Sequence, residues 1–549
     1  MNVRTSLLGT TVAVVLSATA PTAAHGQNGD LTAIADRAFA TWNSTHGPGC
    51  AVGIARGGRT VLERGYGMAD IIGDRPITPA TILESGSVAK QFTATAVLLL
   101  MQDGKLSLED DARKYLPELP EYGRPITVRH LLTHTSGLRE WSNLMAWQGW
   151  PRGTRVHTQS DVFDVITRQR ALNYPVGDHY SYTNSGFLLL RTLVERVSGK
   201  SFVQFTTERI FTPLGMTHTR WRDDYTTLVP GLAQAYGRAP DGWHLNMPFD
   251  NVIGAGGLLT TVGDWLVWNE ALTKKSLGAA VGDSITRQMK LTSGLEIQYA
   301  LGLMVMRYRG LREIAHSGST AGYSTFLARY PDQDNLSIAV MCNSAGANAT
   351  AFTHAIVDAL VPGLPRAATI DSVPGDRTAM ERLRGLYRDV RTNTITEIAM
   401  TDGRLRRVGG APLVPLRDGG YLSGGARLRF TMGADGAPSD FRQPTADGDT
   451  NIFVRVADER WVPSAAELAS LSGRYRSDEI GVTFTVAVVD GRLTLSPRVG
   501  VVQALTPTYR DAFEADGESI WFVRDKKGRV STMHFGSSRA WDFVSTRMP

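Results

Sequence analysis

At 549 residues the chain is too long for one compact core and calls for roughly three domains. Hydrophobic residues make up 42% and charged residues 20%, the composition of an ordinary globular protein. The formal charge of +5 is spread thinly, with basic runs no longer than Lys274-Lys275 and Lys526-Lys527, which excludes a nucleic-acid-binding arm.

Arg4, the apolar run Leu7 to Ala18 and the small residues from Ala20 to Gly26 form a secretory leader pattern over residues 1–26. No cysteine lies near the cleavage region, so no lipid anchor is expected, and no later apolar run reaches the ~18 residues of a membrane span. The expectation is an exported protein, periplasmic or extracellular, without an integral membrane segment. None of the 11 histidines lies in H-E-x-x-H, and C-x-x-C is absent, so neither metal nor cofactor is expected.

Leu31, Ile34, Ala35, Ala38, Phe39 and Trp42 recur at helical spacing. Cys50 to Arg56 and Thr60 to Met68 flank Gly57-Gly58 and read as a β-hairpin. Next comes Leu83-Glu84-Ser85-Gly86-Ser87-Val88-Ala89-Lys90, running into an apolar helix that Asp103-Gly104 closes. A mixed, largely helical region follows to about Ala300. Leu301 to Tyr308, Ser324 to Tyr330 and Leu336 to Cys342 are strand-like, and Ala351 to Leu360 reads as a helix. Strands at both ends with helices between them imply an α/β or α+β unit, residues 27–361, whose one sheet is closed by both ends of the segment.

Residues 362–378 lack periodicity and read as a linker. Beyond it the chain repeats itself. Leu383-Arg384-Gly385-Leu386-Tyr387-Arg388 is answered by Leu471-Ser472-Gly473-Arg474-Tyr475-Arg476. At the same offset, Asp402-Gly403-Arg404-Leu405 is answered by Asp490-Gly491-Arg492-Leu493. Both copies, residues 379–463 and 464–549, carry short alternating strands and D-G turns suited to small antiparallel barrels. Neither holds a nucleophile–base pair, so their expected work is structural, or to cover the catalytic unit.

Ser87 and Lys90 share a helix face one turn apart. A serine needs a base beside it, and a buried lysine can be one. S-x-x-K is a weak motif by itself, but no serine here has the G-x-S-x-G surroundings of an α/β-hydrolase nucleophile. Tyr182-Thr183-Asn184 and His316-Ser317-Gly318-Ser319 follow downstream. Among the other aromatic and histidine side chains, His134 reads as a structural hydrogen-bonder, and His179 and Tyr180 as supports for Tyr182.

Ser87-x-x-Lys90, Tyr182-x-Asn184 and His316-x-Gly318 resemble, in order and spacing, the motifs of the serine β-lactamase and penicillin-recognising family. Val128 to Leu138 resembles its class C β-lactamase, D-aminopeptidase and esterase branch, and the paired C-terminal barrels resemble D-aminopeptidase architecture. The resemblance implies Ser87 as nucleophile, with Lys90 and Tyr182 sharing proton transfer. It implies Asn184 bonded to Lys90 and the substrate amide, and the backbone N–H groups of Ser87 and Ser319 as an oxyanion hole. His316 and Gly318 would line the pocket from an edge strand. His316 stands where most relatives carry lysine, which disfavours carboxylate-bearing β-lactams. The implied activity is a serine hydrolase acting through an acyl-enzyme on D-amino-acid peptides or amides, or on small esters. A β-lactamase or D-Ala-D-Ala carboxypeptidase is the alternative, and a non-catalytic binding module the third reading; the partner is a small-molecule or peptide substrate, and a homo-oligomer stays open. The same topology would place Cys50 beside Cys342, with a reduced pair favoured over a bridge.

Overall fold

The computed structural model describes residues 24–365, 370–445 and 448–549. The expected leader therefore lies, up to residue 23, outside the described residues. Helix α1 (Ala24–Ala38) leads into the hairpin β1 (Cys50–Arg56) and β2 (Arg59–Tyr66). A 3₁₀ turn, Gly86–Ala89, carries Ser87, and α2 (Lys90–Gln102) begins only at Lys90. Then come α3 (Asn184–Ser198), α4 (Val262–Lys274), β3 (Met304–Tyr308), β4 (Leu311–Thr320), β5 (Tyr323–Tyr330), β6 (Leu336–Cys342) and α5 (Ala349–Leu360).

The six strands form one antiparallel sheet in the order β3-β4-β5-β6-β1-β2. The first and last segments of the unit thus meet at the β1–β6 pairing, as the pattern of strands implied. Alternate residues face opposite ways. Val52, Ile54, Ile338 and Val340 pack with Ile34 of α1 and Ile356 and Val357 of α5. Ala51, Ala55, Ala339 and Met341 pack with Val262, Trp265 and Leu266 of α4. Covered on both faces, β6 is buried throughout, which is why it reads as a continuous apolar run.

Cys50 stands directly opposite Cys342 in that ladder, and the two are joined as a disulfide across 292 positions of sequence. The reduced pair favoured from sequence is corrected here. Direct opposition in an antiparallel register brings the sulfurs within bonding reach, and register is a property of the assembled sheet.

The expected linker holds residues 366–369, outside the described residues, and the helix Arg377–Arg382 starts before its end. The two repeats follow as sheets of eight and nine strands. In each sheet the two outermost strands are sequence neighbours: Arg404–Arg407 with Val414–Pro415, and Val501–Ala504 with Thr506–Pro507. Each sheet therefore curls back on itself and is barrel-like. The repeated residues do the same work twice. Tyr387 donates to the Leu383 carbonyl at 2.9 Å, and Tyr475 to the Leu471 carbonyl at 2.6 Å. Among the described residues no helix is long and apolar enough to cross a membrane, and no acidic, histidine or cysteine cluster could hold a metal ion.

Candidate active site

Three segments converge on Lys90. The 3₁₀ turn sets Ser87 one turn ahead of it, and the Lys90 amine lies 3.1 Å from the Ser87 hydroxyl. It also lies 2.8 Å from the Asn184 side-chain oxygen and 2.8 Å from the Ala255 carbonyl. Tyr182 and Asn184 flank Thr183, whose extended backbone (φ −142°, ψ 140°) presents both to the lysine. The Tyr182 ring centroid is 4.9 Å from the amine.

Lys90 is fully buried. Burial pushes its pKa well below the ordinary lysine value; Glu140 opposes that shift, and Arg539 and Arg152 reinforce it. A neutral amine has two N–H donors and one lone pair. Carbonyl oxygens only accept, so in that neutral form the donors go to Asn184 and Ala255 and the lone pair faces the Ser87 hydroxyl, whereas the ammonium form donates to all three. Burial holds Tyr182 above the usual tyrosine range, against the lowering effect of Ser87 and Arg539, so it is a protonated phenol. Its buried hydroxyl has no well-formed hydrogen bond; its polar interaction is toward Ser87.

Sequence reasoning missed Glu140, which is buried. Its carboxylate accepts the Asn184 backbone N–H at 2.6 Å, the Thr183 hydroxyl at 3.0 Å and the Asn184 side-chain amide at 3.2 Å. Since the Asn184 NH₂ faces Glu140, its oxygen must face Lys90. The carboxylate also sits favourably at the N-terminus of α3. Glu140 lies just past the Val128 to Leu138 resemblance, and no spacing ties it to Asn184.

Gly86 (φ 52°) and Gly318 allow the Ser87 turn to press against β4. A Cβ on Gly86 would stand 2.6 Å from the Ser319 nitrogen, and one on Gly318 only 2.0 Å from the Ser85 carbonyl oxygen. The Ser319 backbone nitrogen is thereby held beside the Ser87 turn. β3 pairs β4 only as far as Ala315, so β4 has an open edge from His316 to Thr320, while its first half is interior to the sheet.

A cavity of about 50 Å³ opens at Ser87, lined among others by Asn184, Trp141, Ser319 and Thr320. Its wall includes Glu84 and Asp250, bonded to Arg222 and Arg152 respectively. His316 and Gly318 do not line it. His316 is buried behind Tyr182, with its ring nitrogens 3.0 Å from the Tyr299 hydroxyl and 2.6 Å from the Ser317 carbonyl. The carbonyl requires a donor, so Nδ1 carries the proton and Nε2 accepts from Tyr299. Burial, with Lys90 nearby, lowers His316 to about 3 and leaves it neutral. His134 is buried with its ring 4.3 Å from that of Tyr182 and its Nδ1 accepting from the Thr183 N–H, a structural placement.

The sequence model of the family described as Beta-lactamase matches residues 30–362. Penicillin-binding protein 4* of Bacillus subtilis is 28% identical over 313 residues, 54% of this chain and 68% of that protein. A D-aminopeptidase of Cereibacter sphaeroides is 27% identical over 519 residues, 91% of this chain and 92% of that one. Among solved structures, the octameric penicillin-binding protein homologue from Pyrococcus abyssi superposes with a TM-score of 0.54 at 21% identity, covering 86% of this chain and 98% of its own.

Proposed function

The chain belongs to the beta-lactamase family, and from that premise we propose that it is an exported serine hydrolase cleaving D-aminoacyl peptides or amides through a Ser87 acyl-enzyme. The observation that carries the mechanism is the Lys90 environment: it is fully buried, and two carbonyl acceptors at 2.8 Å would leave the lone pair of the neutral amine for the Ser87 hydroxyl at 3.1 Å.

Lys90 takes the Ser87 proton as the serine oxygen bonds the substrate carbonyl carbon. The resulting oxyanion is met by the backbone N–H groups of Ser87 and Ser319, each donor worth roughly 3 kcal/mol in such sites. When the C–N bond breaks, the Tyr182 phenol gives its proton to the leaving amine, and Lys90 restores it. Water then attacks the ester, with Lys90 again as base, and returns Ser87. Asn184, fixed by Glu140, holds the amine and meets the substrate amide. The D-aminoacyl preference is supported by the relative named D-aminopeptidase, aligned over 91% of the chain with both barrels included. The neutral His316 weighs against β-lactam carboxylate recognition at that position.

The test is a panel of D- and L-aminoacyl p-nitroanilides, p-nitrophenyl esters and nitrocefin. D-aminoacyl anilides should turn over fastest; a preference for nitrocefin would replace this reading. Ser87→Ala should abolish turnover and fluorophosphonate labelling, while Lys90→Ala and Tyr182→Phe should each cost about three orders of magnitude or more. Near-normal activity in Tyr182→Phe would remove it from the proton path.

A further inference from the structure

A second, larger cavity of about 530 Å³, with Tyr182 in its lining, opens where the catalytic unit meets both barrels. The loop Gly536 to Asp542 of the second barrel forms one wall, and its placement is tied down by backbone bonds. The Arg539 carbonyl accepts from the Glu140 N–H at 3.2 Å and from the Asn173 amide at 3.1 Å, and the Trp541 N–H donates to Asn173 at 2.9 Å. So anchored, the Arg539 guanidinium lies 5.0 Å from the Tyr182 ring centroid.

The other charges of this cavity are engaged. Arg391 pairs with Asp449 at 2.9 Å, and Asp389 accepts the backbone N–H groups of Arg391 and Thr392. Arg539 has no carboxylate partner among the described residues. A half-buried guanidinium held against an aromatic face, with its donors unspent, is a receptor for a planar anion. In the proposed reaction Tyr182 gives its proton to the departing amine, so the leaving group passes on the Tyr182 side of Ser87, toward this cavity.

We propose that the junction cavity is the leaving-group subsite and that Arg539 binds the free carboxylate of the departing amino acid or peptide. The preferred substrate is then a short peptide with a free C-terminus, in preference to a simple amide or ester. This assignment rests on the D-aminoacyl hydrolase reading and narrows it. Arg539 takes the part of the cation that His316 does not supply, from a loop of a different domain.

The experiment compares kcat/KM for a D-aminoacyl-glycine and the matching D-aminoacyl-glycinamide, which differ only in the terminal charge. The native protein should favour the free acid by about ten- to a hundredfold, the worth of one charged hydrogen-bonded contact. Arg539→Gln should bring the ratio close to one, and Arg539→Lys should keep part of it. Because each ratio is taken within one protein, a general loss of activity cancels. A native ratio near one, or an unchanged ratio in Arg539→Gln, overturns the assignment; the native ratio needs no variant and so stands even if the substituted protein folds badly. D-aminoacyl anilide turnover with a flat peptide ratio refutes this subsite alone. Absence of turnover on anilides and peptides alike refutes the substrate reading and this subsite with it.

Discussion

The two C-terminal barrels descend from one repeated pattern yet relate differently to the catalytic unit. The first encloses a core of its own, built on Leu383, Tyr387, Ile398, Leu405, Leu428, Phe441 and Phe453. The core of the second, including Tyr475, Phe484, Phe522, Phe535 and Phe543, is continuous with the helices around α2 and α3. Trp147 bridges them, its ring 5.2 Å from Phe535 and 5.1 Å from Phe543, with its indole N–H bonded to the Glu518 carboxylate. Arg139, adjacent to Glu140, pairs with Glu479 at 3.0 Å and bonds the Asp542 carbonyl at 2.8 Å. The first barrel keeps its core to itself and meets the catalytic unit through contacts such as the partly exposed pair of His179 with Asp449 at 3.4 Å. Both copies line the junction cavity, but only the second shares its apolar core with the catalytic unit.

The largest effect should come from cutting the shared core. Trp147→Ala is expected to cost about 3–5 kcal/mol and to lower activity together with the main unfolding transition. Phe441→Ala removes a fully buried ring of similar worth from the first barrel, but calorimetry should show a separate, earlier transition with hydrolysis retained below it. One transition for both variants would mean that the first barrel is not an independent unit.

Next in size is the pair of polar contacts. Arg139→Ala should cost roughly 3 kcal/mol, because the arginine side chain is only 3% exposed and Glu479 loses its partner. His179→Gln, on the first-barrel side, should cost under about 1 kcal/mol in denaturant titration. Equal losses would erase the distinction drawn between the two contacts.

The smallest effect is on pH dependence. The folded pKa of Lys90 lies below its unfolded value, so the native state binds fewer protons and stability from this group rises with pH through that interval. Activity requires the neutral amine and so falls as pH drops through the folded pKa. Arg539 contributes to that lowering, and Arg391 is not among its causes. Arg539→Gln should therefore move the acid limb of the kcat/KM profile to higher pH, whereas Arg391→Gln should leave it in place.

Ser87 and Lys90 were legible because their interaction is local: a spacing of three on a helical turn is geometry that the sequence carries. Tyr182 and Asn184 were legible as a pair for the same reason, one extended residue apart. Their meeting with Lys90 came from resemblance, since nothing local reaches from residue 90 to residue 184. Glu140 and Arg539 left no signal: an acidic residue after an arginine and an arginine in a serine-rich turn are ordinary surface patterns. From sequence His316 reads as a pocket residue on an edge strand. The strand is open there, but Tyr299 and Tyr182 bury the ring behind the pocket.

Periodicity and near neighbours alone specify the hairpin at Gly57-Gly58, the strand Leu336 to Cys342, the serine–lysine turn and the repeat with its tyrosine and D-G landmarks. Tertiary structure decided what depends on long-range register and docking. It set Cys50 against Cys342 and turned the Asn184 oxygen toward Lys90 through Glu140. It also merged one barrel, and not its twin, with the catalytic core and brought Arg539 over Tyr182. The physical reason is the range of the forces that select each feature. Backbone propensity and apolar alternation act within a few residues and are written locally. Burial, desolvation and charge pairing act between surfaces, and exist only once the chain has brought those surfaces together.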